Sequence, residues 1–431
     1  MRYDEHDVLR IAEESDVAFT ELYFCNVFGE LMSVTVPSAE LEEIFGNGFF
    51  IDASRLNGFV GANEEDLVLH PSPESMTVAA DGQYMRIFCT ISRQDGTPYE
   101  CDGRYYLNAA VERAKKLGLE FSVSLTGEFY VFERDENGKP TKHPSDSAGL
   151  CGSSPTDSGG ALRREICTFL EQEDIPVNYI CHGEGPGQNV VCLKPAAPVI
   201  AADSYMTFMS ETKDAARRCG RFASFMPKPI SDEKGSSMEI ALSCREKGSN
   251  IFKQTDGRLS NTLAKIIGGL IRSLPSMTIF LNSTTNSYAR LEDSELFAKA
   301  AWSRANIGTA LRLRSGIKDN SGELVLRTPD SSGNIYFSLG LIINACIEGI
   351  NQGASAPRPV SADGKYSSGS AKLPVTLTEA LKAAENDGFI RSVTDTRMLA
   401  YLLEEKRRLC REFEEARDKE SFETARYFYT L

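Results

Sequence analysis

The chain has 431 residues, and its 41% hydrophobic content is enough to fill the cores of two or three domains. Its 47 basic and 61 acidic side chains give a formal net charge of -14, which disfavours nucleic acids and anionic membrane surfaces as partners. We therefore expect an ordinary soluble globular protein.

The cysteine pattern and the hydropathy of the chain indicate the cellular compartment of the protein. The eleven cysteines are scattered and include no Cys-x-x-Cys pair, so neither a disulfide framework nor a thiolate zinc site is predicted. The N-terminus has no apolar signal region, and no later run approaches the roughly 20 apolar residues of a membrane span. We expect a cytoplasmic location, no membrane partner, and thiols that are reduced and mostly buried.

The N-terminal part of the chain predicts a small domain of one helix and several strands. Val8, Ile11 and Ala12 have helical spacing, and the alternation of apolar and polar residues that follows is typical of a hairpin. We place a domain boundary near residue 100, which gives domains of residues 1–100 and 101–431. The predicted elements are a helix over residues 4–14, strands over 17–25 and 31–36, and a strand pair within 75–95.

The larger part predicts alternating helices and strands around one long loop. That loop is rich in Gly, Pro, Ser and Asp and has no period, and Asp157 at its end is a candidate N-cap. The predicted elements are helices over residues 104–117, 157–173 and 202–219, a strand over 119–132, and the loop over 135–157.

Residues 223–243 form the most informative run of the chain. They predict a buried strand, a loop opened by Pro227 and Pro229, a turn at Gly235, and a second strand. The run resembles the most recognisable motif of glutamine synthetases. At the two histidine positions of that motif, this sequence has Glu239 and Ala241.

The resemblance extends over essentially the whole chain, with at least six motifs in order. It implies an α+β fold, in which a β-grasp domain precedes a catalytic domain with a curved antiparallel sheet and helices. It also implies a ring-shaped homo-oligomer of about twelve subunits, in which Asp52 helps to form the ammonium site of the neighbouring subunit. The further matching segments are residues 50–59, 65–69, 185–188, 286–290, 302–312 and 324–330.

Members of this family use ATP to phosphorylate the side-chain carboxylate of glutamate, after which ammonia displaces the phosphate. The chemistry needs two divalent cations, Mg²⁺ or Mn²⁺, held by carboxylates and a histidine. Of the six ligand positions the resemblance implies, Glu128 keeps its type and Glu239 exchanges histidine for another possible ligand. The remaining four positions are occupied by Thr126, Gly183, Val190 and Val325.

A rebuilt metal site would therefore draw on Glu128, Glu239 and Glu184, which lies one residue from a lost ligand. A one-residue slip on a strand reverses the facing of a side chain, so Glu184 substitutes only if a bulge re-aims it. Ile307 replaces an arginine that would contact phosphate, and Glu295 cannot be equated with the acid of the family's flexible loop.

The resemblance also carries roles to other residues. The matched positions are Asp52 and Arg312 for catalysis, Glu128, Gly235, Arg290 and Arg327 for substrate binding, and Lys228 and Ser243 for nucleotide binding.

Several of these residues also have structural interpretations. Asp52 could be a turn residue, and His182 has no ligand-spaced companion, which favours a structural histidine. Glu128 lies on an apolar strand, where an unpaired carboxylate is costly, so we expect a charge-paired network with Lys234, Arg290 or Arg327 in place of the metal.

Two functional hypotheses follow. The first, which we favour, is a catalytically degenerate relative that keeps the ring-forming scaffold and binds an amino acid or another small anion near Arg290 and Arg327. The second is an active ATP-dependent glutamate–ammonia or glutamate–amine ligase with a rebuilt one-metal centre. ATP and Mg²⁺ or Mn²⁺ are expected as cofactors only in the second case. Ordinary glutamine synthetase activity despite the losses is a weaker third hypothesis.

Overall fold

The computed structural model describes residues 3–59, 65–79, 82–252, 258–292, 299–306, 308–315, 322–361, 366 and 370–431. Two positions discussed above, Ile307 and Glu295, lie outside these residues.

The N-terminal domain is a mixed sheet with two helices. The predicted first helix forms with a reciprocal cap, in which the Asp4 carboxylate accepts from the Asp7 N–H and the Asp7 carboxylate accepts from the Asp4 N–H. The sheet order is β2-β1-β6-β4-β3, with β5 beside β6, and β1 runs parallel to β6. The elements are α1 (Glu5–Glu14), β1 (Phe19–Cys25), β2 (Leu31–Pro37), α2 (Leu41–Asn47), β3 (Phe49–Ile51), β4 (Leu67–Pro71), β5 (Thr77–Val78) and β6 (Tyr84–Arg93), with short 3-10 turns at Ser38–Glu40, Ala53–Arg55 and Pro73–Ser75.

The larger domain is built on a second sheet with helices packed around it. Its elements are α3 (Gly103–Lys116), β7 (Leu119–Arg134), β8 (Pro140–Pro144), α4 (Gly160–Gln172), β9 (Val177–His182), β10 (Gln188–Leu193), α5 (Pro198–Arg218), β11 (Phe222–Ser224), β12 (Met238–Glu246), β13 (Ser249–Asn250), α6 (Asn261–Leu281), α7 (Thr285–Glu292), β14 (Trp302–Ser303), β15 (Leu311–Ser315), β16 (Gly322–Leu326), α8 (Ile335–Asn351), α9 (Leu377–Glu385), α10 (Gly388–Val393), α11 (Thr396–Glu415) and α12 (Lys419–Glu423), followed by a π-helical turn, Thr424–Phe428.

The large sheet has the order β14-β15-β16-β12-β7-β10-β9, with β8 and β11 also on β7 and β13 on β12. Every pairing along this path is antiparallel except that of β14 with β15. The long central strand β7 organises the sheet because it pairs with β12 over most of its first half and with β10 and β11 over its second. The predicted α+β fold class is confirmed.

Two local predictions were wrong. The stretch predicted as an irregular loop contains β8, which pairs with the end of β7, because main-chain pairing does not need an apolar period in the partner. Asp157 does not cap α4, whose N-cap is Gly159. The Asp157 carboxylate instead accepts from the Gly159 N–H at 3.0 Å and binds Arg163.

The helix α6 is a long apolar segment of a kind that the sequence analysis did not predict. By length and composition it could cross a membrane, with a mean hydropathy of 1.3. In the structure it packs against α8, and 72% of its apolar window is buried inside the protein. The core helix of a soluble protein meets the same criterion, so this finding is weak evidence for a membrane span.

Buried ion pairs join the two domains. Arg86 on β6 donates to Glu173 at 2.7 Å and also binds Glu211, and all three side chains are buried. Arg104, at the start of α3, donates to Asp203 on α5 at 2.9 Å within the larger domain, and its Nη1 donates to the Ser72 hydroxyl of the small domain at 2.6 Å. Breaking a buried pair leaves an uncompensated charge, so these contacts hold the small sheet in one position against the large domain.

Candidate functional site

The sequence-predicted ligand positions come together on one face of the large sheet. Residues that pair directly across neighbouring strands point to the same side of a sheet. Three rows therefore share this face, which we call the site face. The rows are Cys181, Val190 and Glu128; then Cys192, Thr126 and Glu239; then Ser124, Ala241, Val325 and Arg312.

The position of the family's metal-binding histidine holds a carboxylate that is already paired. Glu239 Oε1 accepts from Arg327 Nε at 2.7 Å, and its Oε2 accepts from Arg314 Nη2 at 3.3 Å. About a quarter of the Glu239 and Arg327 side chains is exposed. Two guanidinium groups therefore neutralise this carboxylate, as a metal ion would.

The neighbouring acid, Glu128, has a different partner from the one predicted. Its Oε2 accepts from the N–H of Ser237 at 2.7 Å and from the Ser237 hydroxyl at 2.9 Å, and no arginine or lysine forms an ion pair with it among the described residues. Burial raises the pKa of Glu128, the bonds from Ser237 lower it, and the charge of Glu239 raises it further. The net pKa is above the ordinary value for glutamate.

The far edge of the site face is rich in arginine. Arg312 and Arg314 alternate on β15, so both point to this face, and Arg314 also lies 3.3 Å from Glu323. Arg312 Nε is buried and has no hydrogen-bond partner in the described part of the chain. Together with Arg327, these side chains give three guanidinium groups against the carboxylates of Glu239 and Glu323.

Arg290, which was predicted to bind substrate together with Arg327, has its polar partners inside the protein. The side chain is buried, and it donates to the carbonyl oxygens of Thr328 and Pro329 and lies 3.7 Å from Asp330. Burial lowers its pKa, and the Asp330 charge opposes that effect. Gly235 lies against the Arg290 side chain so closely that a Cβ there would collide with it. Gly235 therefore fits a packing role as well as the predicted binding role.

The three carboxylates predicted as metal ligands are not gathered. Glu184 is largely exposed and lies 3.8 Å from Lys234, while Glu128 and Glu239 have the partners described above. Within the described residues, these three do not form a group whose ligand atoms all lie within 4.8 Å of one another. Their role as metal ligands stays a prediction.

The two residues predicted to bind nucleotide line different cavities. Ser243 on β12 borders a cavity of about 930 Å³, together with Ser122, Arg245 and Ile200. Lys228 is buried beside a second cavity of about 740 Å³ between α7, α9 and α11, and the Asn286 amide bonds both its N–H and its carbonyl. Their role in nucleotide binding stays a prediction.

Asp52 lies in the small domain and caps the 3-10 turn Ala53–Arg55, accepting from the Ser54 N–H at 3.0 Å. The hydrogen bonds from Ser54 lower its pKa. Its carboxylate is exposed, and its bonds to Ser54 fit the interpretation as a turn residue.

His182 is a structural histidine, as its sequence context predicted. Its Nδ1 lies 2.9 Å from the Gly183 carbonyl and its Nε2 lies 2.9 Å from Asp146. Both ring nitrogens therefore have hydrogen-bond partners within the protein itself. Asp146, Asp157 and His182 form a compact polar cluster, but Arg163 also binds Asp157. The cluster is internally paired.

The donor set does not fit two divalent cations. Hard cations take several oxygen ligands, but Val190 and Val325 supply none. The carboxylate of Glu239 is already shared by two guanidinium groups, and the only side-chain oxygen at position 126 is a hydroxyl. We therefore derive no reaction step through these ions.

Sequence reasoning missed two residues of this site. Ser237 holds Glu128, and Arg314 holds Glu239. A signal existed for both, because each lies two positions from a predicted site residue on the same strand or its extension, and a period of two puts such residues on one face.

The fold and the site face define a protein of the glutamine synthetase family. The family model described as "Glutamine synthetase, beta-Grasp domain" matches residues 16–94, and the model described as "Glutamine synthetase, catalytic domain" matches residues 100–427. The chain belongs to this family.

Individual relatives are similar over nearly their whole length. Glutamine synthetase of Clostridium saccharobutylicum is 33% identical over 369 residues, covering 84% of this chain and 83% of the relative. Glutamine synthetase of Staphylococcus epidermidis is 31% identical over 405 residues, covering 90% and 91%.

Solved structures share the fold at low identity. The structure described as "Apo GmaS without ligand" has a TM-score of 0.86 at 23% identity, covering 97% of this chain and 99% of that one. The structure described as "CryoEM Plasmodium falciparum glutamine synthetase" has a TM-score of 0.87 at 18% identity, covering 99% and 100%. The predicted order of β-grasp and catalytic domains is thus confirmed.

Proposed function

We propose that this protein is a catalytically degenerate glutamine synthetase relative that binds a small anion, such as an amino acid, and acts through binding and assembly. The observation that carries the proposal is the ion pairing of Glu239 with Arg327 and Arg314. In this chain, the position where the family has a metal-binding histidine holds an acid that is neutralised by the protein itself.

The other substitutions act in the same direction. Phosphoryl transfer needs cations because the phosphate charges otherwise repel the acceptor carboxylate. Thr126, Gly183, Val190 and Val325 remove most of the protein oxygens that would hold such cations. A water molecule can replace one missing ligand, but replacing four would leave the ions bound by few protein groups.

The anion site that we propose lies between Arg312 and Arg327. Arg312 has a buried Nε without a partner among the described residues, and a carboxylate would satisfy it through a charge-assisted hydrogen bond. Arg290, the other arginine predicted for this role, would act indirectly by holding the 328–330 segment that follows Arg327.

We propose a ring-shaped homo-oligomer as the working form. Phe50, on the edge strand β3 of the small sheet, is 56% exposed. Phe50 lies two residues from Asp52, the residue that the family resemblance puts at a neighbour's site. A second subunit covering the β3 edge would bury both the Phe50 side chain and the Asp52 carboxylate.

The direct test is an assay for phosphate release from ATP with Mg²⁺ or Mn²⁺, glutamate and ammonium. We expect no release above that of a heat-denatured control. Calorimetric titration with glutamate and related amino acids, on wild type and Arg312→Ala, tests the binding half of the proposal. Metal-dependent release that is stimulated by glutamate and ammonium and lost in Glu128→Ala would overturn the degenerate assignment.

A second candidate, a ligase with a rebuilt one-metal centre, is favoured by one observation. The charge of Glu239 raises the pKa of Glu128, so the two carboxylates are close enough to repel each other. A cation between them would relieve this repulsion if Arg327 and Arg314 moved away. ATP with Mg²⁺ or Mn²⁺ would then be its cofactors, and Ser243 beside the larger cavity would be a nucleotide contact. Phosphate release only with another amine or acid would support this candidate.

A further inference from the structure

The segment of residues 145–158 is attached to the end of β9 beside the site face. Asp146 accepts from the Gly187 N–H at 2.8 Å and lies 2.9 Å from His182 Nε2. Further along the segment, the Cys151 N–H donates to the His182 carbonyl at 3.1 Å. These contacts hold Cys151 next to the strand that carries Cys181.

The two cysteines are neighbours through their side chains as well as their main chains. Both thiols are free, Cys151 is exposed, and Cys181 is partly buried. The two thiols lie close enough that Cys151 raises the pKa of Cys181. A disulfide requires a specific approach of both residues, and the bond from the Cys151 N–H to the carbonyl of His182, the neighbour of Cys181, brings the two chain segments together.

We propose that Cys151 and Cys181 form an oxidisable dithiol, a modification site that closes to a disulfide and fixes the 145–158 segment over the Glu128 end of the site face. The chemical partner is a small-molecule disulfide such as oxidised glutathione. This inference does not depend on whether the protein has ligase activity.

The exchange reaction balances with oxidised glutathione as the oxidant. The Cys151 thiolate attacks one glutathione sulfur, which breaks the glutathione disulfide, forms a mixed disulfide and releases one reduced glutathione. The Cys181 thiolate then attacks the Cys151 sulfur and releases the second glutathione. Two protein thiols lose their protons and two electrons, and one oxidised glutathione becomes two reduced molecules.

Exposure and acidity assign the order of the two steps. Cys151 is accessible to a solvent-borne oxidant, whereas burial and the charge of Cys151 raise the pKa of Cys181 to about 11. Cys181 therefore reacts second, where its attack is intramolecular and benefits from a high effective concentration.

The site face explains why such a link would matter. Cys181 pairs directly with Val190 on β10, and Val190 pairs with Glu128 on β7, so these three side chains form one row. A disulfide at Cys181 would fix the 145–158 segment at the end of that row. Oxidation would therefore change access to Glu128 and leave the arginine edge unaltered.

The test exposes the reduced full-length protein to a series of glutathione redox buffers, followed by acid quenching, alkylation of free thiols and peptide mapping without reduction. Residues 165–194 contain three cysteines, so mapping is done in a Cys167→Ser, Cys192→Ser background and confirmed in the natural chain. We expect an intramolecular link between Cys151 and Cys181, detected as two thiols protected from alkylation without added glutathione mass.

Cys219 is the matched control, because it is also exposed but its Sγ donates to a Glu165 oxygen at 3.3 Å. It should form a mixed disulfide with glutathione, and the Cys151–Cys181 link should be half formed at least about tenfold lower oxidised glutathione. Cys151→Ser should remove the link, whereas Cys219→Ser should leave it unchanged.

Separate glutathione adducts on Cys151 and Cys181, or a link that needs as much oxidant as Cys219, would overturn the proposal. So would a disulfide between either residue and a third cysteine. The wild-type alkylation pattern decides the matter even if a serine variant fails to fold.

Discussion

Replacing Glu239 by glutamine keeps the shape of the side chain and removes the charge that Arg327 and Arg314 share. The bond to Arg327 is short, at 2.7 Å, and both partners are about a quarter exposed. The contact with Arg314 is longer, at 3.3 Å, and Arg314 is 36% exposed. The contact between Glu239 and Arg327 should therefore account for most of the stability lost in Glu239→Gln.

A hydrogen bond to a charged group contributes about 1.5–3 kcal/mol when buried, and an exposed ion pair contributes about 0.2–1 kcal/mol. The Arg327 contact lies between these limits, and a glutamine oxygen can still accept one neutral bond. We expect Glu239→Gln to lower the free energy of unfolding by about 1–2 kcal/mol. Glu323→Gln is the matched control, since its contact with Arg314 is 3.3 Å long and both side chains are more than a third exposed. That change should cost under about 0.5 kcal/mol.

The assay is urea denaturation at one fixed protein concentration, because assembly makes apparent stability depend on concentration. Hydrogen exchange of β15 and β16 adds a local measure, and both strands should exchange faster in Glu239→Gln than in Glu323→Gln. Each experiment is repeated with EDTA. If the arginines neutralise Glu239 in solution, EDTA changes nothing. A loss of stability with EDTA in wild type that disappears in Glu239→Gln would mean that the carboxylate holds a metal and would refute the reasoning.

Three further predictions follow from charges and exposed surface. Glu128→Gln should gain more stability over wild type at pH 7 than at pH 4. The raised pKa of Glu128 means that the ionised side chain is disfavoured in the folded state, so wild type loses stability as pH rises past the pKa of Glu128 in the unfolded chain. Equal differences between the urea midpoints of the two proteins at both pH values would contradict this. Asp146→Asn should lower the free energy of unfolding by about 1–3 kcal/mol at pH 7. This loss should shrink below about pH 4, because bonds from His182 and Gly187 outweigh burial and hold the pKa of Asp146 below its ordinary value. A loss that grows on acidification would contradict the prediction. Light scattering should give a mass that is a multiple of 47.4 kDa, and a stable monomer at micromolar concentration would rule out the proposed ring.

The sequence predicted which strands form the site face better than it predicted the contacts on that face. A period of two along β7 and β12 is enough to put Thr126 with Glu128, and Glu239 with Ala241. Strand order and register are long-range properties, and only the paired structure puts Glu239 opposite Thr126 and Val325 opposite Arg312.

The ion-pair partners show the same division. The sequence predicted a charge-paired network in place of the metal and assigned it to Glu128. In the structure the arginines pair with Glu239, and Glu128 is held by Ser237. Long side chains reach several neighbours, so residue type alone could not decide which acid each guanidinium contacts.

By itself, the sequence determined the family, the order of the two domains, and the residue types at the ligand positions that the resemblance implies, because these depend on residue identities in a linear order. Only the tertiary structure decided that Arg290 is turned into the protein, that Lys228 and Ser243 border separate cavities, and that Cys151 bonds to the strand that carries Cys181. The physical reason is that contacts between residues distant in the chain depend on how sheets and helices pack, and packing depends on the whole core at once.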